Sequence, residues 1–194
     1  MKSKKIYAVT GGIGSGKSEV TKIISSLGYP TFSCDEIYKT LLTETATVSA
    51  IEKAFPNCVN NGVLDRKQLS QEVFCSEKQL ALLNSITHPL ILERLFALAG
   101  KVNSNIVFAE VPLFFEANLK EMFDGAIVVK RNLQSRVASV ISRSGLTEED
   151  VMNRINSQFC YDNADLSEFT VIENDGDLVA LTNAVKLAIN SLVD

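Results

Sequence analysis

The sequence predicts a three-layer α/β fold, a five-stranded parallel sheet with helices on both faces. Three observations carry that expectation. Short apolar runs rich in Val and Ile recur along the chain, as strands buried on both faces require. Helical patterns alternate with them, and such alternation implies crossover connections and a parallel sheet. The alternation lapses once, between residues 43 and 101, where only helical pattern remains. The chain therefore reads as one domain with a core of residues 1–42 and 102–194, a helical insertion at 43–101 and a helical lid at about 132–163.

The first strand, residues 5–9, runs into Gly11-Gly12-Ile13-Gly14-Ser15-Gly16-Lys17-Ser18, which fits G-x-x-x-x-G-K-[ST] at every required position. Residues 19–27 then place Val20, Ile23, Ile24 and Leu27 on one helical face, and Gly28 ends the helix. A strand, a glycine-rich loop and a helix in this order form a phosphate cradle. Glycine lets the backbone curl until successive N–H groups point at an anion, and the helix N-terminus adds partial positive charge. Lys17 reaches the β- and γ-phosphates, and the Ser18 hydroxyl is the predicted Mg²⁺ ligand.

A second strand is expected at 29–34, with Asp35 at its carboxyl end and a helix from 36 to 42. Ligands of open α/β sheets sit at that edge, so Asp35 is placed to face the phosphates, and it is equally suited to cap the helix. In the insertion, 48–55 is a helix, and Pro56-Asn57 with Asn60-Asn61-Gly62 is a turn-rich break. Asp65 caps a helix over 66–74, Ser76 with Gln79 caps another over 78–86, and Pro89 opens a third reaching about Ala99.

Residues 105–109 and 125–129 read as further strands, and Glu110 stands at the end of the first of them. Asn132 caps a helix through Arg143 that Gly145 ends, and Thr147 opens another to about Cys160. Residues 169–172 are the last strand, Asn174-Asp175-Gly176 is a turn, and 178–193 is a closing amphipathic helix.

Composition narrows the class. With 46% hydrophobic and 22% charged residues the chain can bury a full core. A net charge of −4 argues against a nucleic-acid surface, which needs a basic field. Cys34, Cys58, Cys75 and Cys160 form no C-x-x-C pair, which argues against zinc and for reduced thiols in the cytosol. No secretory signal follows Met1, and no stretch approaches the roughly 18 apolar residues of a membrane span, so a cytoplasmic protein without a membrane partner is expected.

The glycine-rich loop alone leaves kinases, motor ATPases and GTPases open. No Asn-Lys-x-Asp string for guanine recognition is present. The strand before Glu110 lacks the usual Walker-B Asp, and Glu110 is available for that part through a metal-bound water. Arg131, Arg136, Arg143 and Arg154 all lie in or beside the paired helices after the fourth strand, where a kinase lid closes over ATP.

Several separate motifs, in order, resemble the dephospho-CoA kinase family. They are Thr10 to Ser18; Asp35; Gly62-Val63-Leu64-Asp65-Arg66 with Leu69 and Phe74; His88-Pro89-Leu90-Ile91; and Val111-Pro112-Leu113-Phe114-Phe115-Glu116. The lid segments Arg143-Ser144-Gly145-Leu146-Thr147 and Arg154-Ile155-Asn156-Ser157-Gln158, and the turn Val171 to Gly176, complete the match. The resemblance implies a P-loop kinase fold and an ATP- and Mg²⁺-dependent transfer of phosphate to the ribose 3′-hydroxyl of dephospho-CoA, the last step of coenzyme A biosynthesis. It implies Asp35 as base, with Lys17 and Arg143 as the other catalytic residues. Gly11, Gly12, Ile13, Gly14, Ser15, Gly16, Lys17, Ser18, Arg143 and Asn174 would bind ATP. Asp35, Arg66, His88, Leu113, Phe114 and Glu116 would bind the acceptor, in a monomer or small homo-oligomer. Three positions depart from the family pattern. Ser33 stands where an acidic residue is frequent, Ser139 where an earlier lid arginine is usual, with Arg136 one turn away to substitute, and Ser144 where Asp is common.

Overall fold

A computed structural model describes residues 4–74 and 76–193. Met1, Lys2, Ser3 and Cys75 lie outside them, and of Phe74 only the backbone is described. The chain divides into two compact units, Met1–Phe32 with Val102–Asp194, and Ser33–Lys101.

The first unit is built on the expected sheet. Its strands β1 (Lys5–Thr10), β5 (Ile106–Glu110), β6 (Ala126–Lys130) and β7 (Thr170–Glu173) join β2 (Thr31–Ser33) in the order β2-β5-β1-β6-β7. β1 runs parallel to β5 and β6, and β6 to β7, with Val9 opposite both Glu110 and Ile127. Such a register places the strand ends together, so Thr10 and Glu110 leave the sheet at the same edge. The β-branched runs explain the strands: Val9, Val107, Ile127, Val128 and Val129 are all fully buried. Helices α1 (Lys17–Ser26) and α8 (Leu178–Val193) pack together over one core containing Val20, Ile24, Phe108, Val129, Leu181 and Val185. Gly28, at φ 92°, ends α1 as expected.

Helix α6 (Leu133–Ser144) starts at Asn132, whose Oδ1 accepts from Ser135 N at 2.8 Å, and stops at left-handed Gly145. Helix α7 (Glu148–Asn156) is capped by Thr147 and ends earlier than the sequence suggests, at Ser157. Each cap satisfies an otherwise orphaned amide and is worth about 1 kcal/mol.

The second unit contains α2 (Cys34–Leu41), α3 (Thr45–Ala54), α4 (Arg66–Phe74) and α5 (Glu77–Lys101) around a core of Leu42, Ile51, Phe55, Cys58, Leu69, Val73 and Leu83. The sequence reading assigned residues up to 42 to the sheet core. Helix α2 instead belongs to this unit, because its apolar face, Ile37 and Leu41, packs on α5. The turn-rich break is a hairpin, β3 (Val59–Asn60) and β4 (Val63–Leu64), closed by Asn61 and Gly62 at φ 52° and 76°. Two successive positive φ values are what a two-residue mirror-image turn demands, and Asn-Gly supplies them at low cost. Asp65 Oδ1 accepts from the Lys67 and Gln68 amides, the predicted cap of α4.

The two helices expected on either side of Pro89 are one. Helix α5 continues through the proline for 25 residues. Packing overrides local propensity here: Leu83, Thr87, Leu95 and Ala99 form its buried face, and α2, α3 and α4 all rest on it. Among the described residues no helix is long and apolar enough to cross a membrane.

Candidate active site

The glycine-rich loop hangs between β1 and α1 as predicted. Gly11, Gly14 and Gly16 take φ values of 146°, 76° and 96°, and Gly16 precedes the first helical residue, Lys17. The Ile13 and Ser15 amides donate to Gln158 Oε1 and to Gly12 O, and the anion is favoured in front of the α1 N-terminus. The Lys17 ammonium spans the loop, donating to Gly11 O at 2.7 Å and Gly12 O at 3.0 Å.

Ser18 Oγ donates to Glu110 Oε1 at 2.9 Å, and Thr21 Oγ1 lies 3.2 Å from Oε2 of the same carboxylate. Glu110 thus stands at the strand end where a Walker-B acid belongs, directly beside the predicted metal ligand. Among the described residues there is no cluster of three His, Cys, Asp or Glu. Mg²⁺ does not need one. It takes one or two hard oxygen ligands from the protein and the rest from phosphate and water, so a hydroxyl paired with a carboxylate fits it.

Other residues grip the loop from outside. Arg136, on α6, donates Nε to Ile13 O at 3.0 Å, and Gln158 Oε1 accepts from Ile13 N at 2.7 Å. Asn174, after β7, donates Nδ2 to Ser15 O at 2.8 Å. Tyr161 OH lies 3.4 Å from Thr10 Oγ1, and burial pushes the phenol up to about 12. Arg136 is only 7% exposed, and burial works against its charge, with Asp162 and Tyr161 opposing that effect. Its Nε is thus engaged with the loop backbone rather than exposed on the lid surface. The sequence reading grouped Asn174 with ATP ligands; its amide nitrogen faces the loop backbone. Gln158 ends the lid motif of the family resemblance but has no role assigned by it, and Tyr161 carries no local signal. The one local signal for an inward Arg136 is its position one turn before buried Val140.

Glu116 Oε1 accepts from Phe159 N at 3.0 Å, tying the loop after β5 to the segment after α7. The joint is aromatic. Phe115 stacks on Phe159 with centroids 4.3 Å apart, and Phe114, 1% exposed, meets Phe115, Phe123 and Phe169 edge-on. Phe114 is thus a core residue, whereas Leu113 is 37% exposed. Arg143, in the last turn of α6, and Arg154 in α7 are exposed.

The second unit holds the remaining predicted residues. Asp35 is exposed in the first turn of α2, and Ser33, not Asp35, is its N-cap, accepting from Glu36 N at 3.4 Å. Ser33 therefore has a structural use where the family often carries an acid. Arg66 Nη2 donates to Lys39 O at 2.9 Å. His88 lies inside α5 rather than before a helix, and burial lowers its proton affinity.

The dephospho-CoA kinase family model matches residues 5–180. A dephospho-CoA kinase of Thermus thermophilus is 32% identical over 187 residues, covering 96% of this chain and 91% of the relative. A crystal structure from Thermus thermophilus, also 32% identical, superposes with a TM-score of 0.86 over the whole of both chains. The structure of dephospho-CoA kinase from Campylobacter jejuni reaches 0.68 at 26% identity over 97% of each. With a complete phosphate loop, the acid beside its serine and a family match along nearly the whole length, the chain belongs to the dephospho-CoA kinase family.

Proposed function

We propose that this protein transfers the γ-phosphoryl group of ATP to the ribose 3′-hydroxyl of dephospho-CoA, giving coenzyme A and ADP. The observation that carries the reading is the Ser18–Glu110 pair at the mouth of a complete phosphate loop in a chain of this family. The amides of Gly14, Gly16, Lys17 and Ser18 at the α1 N-terminus bind the β- and γ-phosphates, and Lys17 exchanges its carbonyl partners for phosphate oxygens. Ser18 and Glu110 would hold Mg²⁺, Glu110 directly or through water. The ion supplies charge neutralisation on the phosphate oxygens.

Asp35 orients the acceptor hydroxyl and takes its proton as the new P–O bond forms. Arg143 spreads the charge that develops on the transferred group. The resemblance to the family supports Arg66, His88, Leu113 and Glu116 as the acceptor-binding residues. We read the protein as a cytoplasmic enzyme acting on small molecules, as a monomer or small homo-oligomer.

The test is incubation of the purified protein with Mg·ATP and dephospho-CoA, followed by mass spectrometry for CoA phosphorylated on the 3′-oxygen. Lys17→Ala serves as the control. CoA formed by the wild type alone is the expected result. No CoA, with ATP still bound, would overturn the acceptor assignment.

A further inference from the structure

Two side chains that the sequence offered as ligands of ATP or its phosphates, Asn174 and Arg136, donate to the loop backbone, and they hold alternate carbonyls. Arg136 takes the oxygen of Ile13 and Asn174 that of Ser15. No peptide among the described residues is cis. In a trans peptide the C=O and N–H point in opposite directions. A carbonyl of Ile13 held toward α6 therefore turns the Gly14 N–H away from it, and a carbonyl of Ser15 held toward Asn174 does the same for Gly16. Gln158 fixes the preceding peptide through the Ile13 N–H.

We infer that Arg136 and Asn174 are positioning residues that set the direction of the phosphate-binding amides of Gly14 and Gly16, and that neither acts by touching the nucleotide. The loop glycines agree with this role. A Cβ on Gly12 would collide with the Arg136 guanidinium, one on Gly14 would lie 2.6 Å from the Arg136 carbonyl, and one on Gly16 would collide with the Asn174 amide. The sequence needs glycine there because the clamp comes so close. Both clamp residues are buried, Asn174 at 8% and Arg136 at 7% exposure, so packing around the loop holds both side chains in place.

The inference rests on the kinase reading for its catalytic consequence but is tested separately from it. Arg136→Met and Asn174→Ala are compared with the wild type for binding of inorganic tripolyphosphate, ADP and ATP by calorimetry, and for steady-state kinetics with dephospho-CoA. Misdirected amides should weaken all three phosphate ligands by a similar factor, about tenfold or more, with the KM of dephospho-CoA unmoved. Arg136→Lys, which still carries a donor to Ile13, should recover part of the loss.

An adenine contact by Asn174 would spare tripolyphosphate, and a γ-phosphate contact by Arg136 would spare ADP; either pattern overturns the inference, as does unchanged binding of all three. The residues stand on separate elements, so either variant decides the matter if the other does not fold. A wild type that makes no CoA would sink the acceptor assignment and leave the tripolyphosphate result readable.

Discussion

Glu110 accepts the hydroxyl of Ser18 at 2.9 Å, across the gap between the end of β5 and the first turn of α1. The pair joins two points 92 residues apart in sequence and puts a carboxylate where the loop's metal ligand stands. Glu110→Gln keeps the shape and removes the charge. It should raise the Mg²⁺ concentration needed for half-maximal rate by about 10- to 100-fold. Initial rates across a magnesium titration at saturating ATP check this, and an unshifted curve would remove Glu110 from the metal side of the site.

Asp35 is exposed at the start of α2 and is not occupied as a cap. Asp35→Asn should lower kcat by about 10²- to 10⁴-fold, the usual contribution of a general base, while ATP affinity changes little. Turnover near the wild-type rate would exclude Asp35 as the base.

Pro89 sits inside α5, where it offers no N–H to the carbonyl of Ser85. An interior proline costs a helix about 3 kcal/mol relative to alanine. Pro89→Ala should therefore raise the urea midpoint of unfolding. An unchanged or lower midpoint would contradict this reading of Pro89.

Alkaline pH should lower the protein's stability in a defined window. Burial, reinforced by a hydrogen bond to Glu72, raises the Cys58 thiol from 9.0 to about 11, and burial raises Tyr161 from 10.0 to about 12. Both groups hold their protons longer in the fold than in the unfolded chain, so the unfolded chain ionises first. The stability they contribute is whole below pH 9 and is lost as pH rises through about 9 to 12. Urea midpoints measured across that range should fall, and Cys58→Ala should fall less steeply between about 9 and 11. A flat profile in the wild type would contradict the assignment.

Local signals were read correctly wherever the physics is local. The buried strands, the Asn132, Asp65 and Thr147 caps, and the stops at Gly28 and Gly145 all depend on residues within one or two turns of each other. Pro89 misled because a local rule was outweighed by the packing of α5 against three helices. At Asn61-Gly62 the residues mark a turn but not the hairpin around it, since strands of two residues show no period.

By itself the sequence determined that a strand, a glycine-rich loop and a helix would build a phosphate site on a parallel sheet. Spacing and residue type act there over a few neighbouring positions. Only the tertiary structure decided what that loop rests on. Arg136 is 123 residues from Ile13 and Asn174 is 159 from Ser15, and no periodicity marks either contact. The topology decides them: β6 pairs with β1 and β7 with β6, all parallel, so the residues that follow those strands leave the sheet at the same edge as the loop that follows β1.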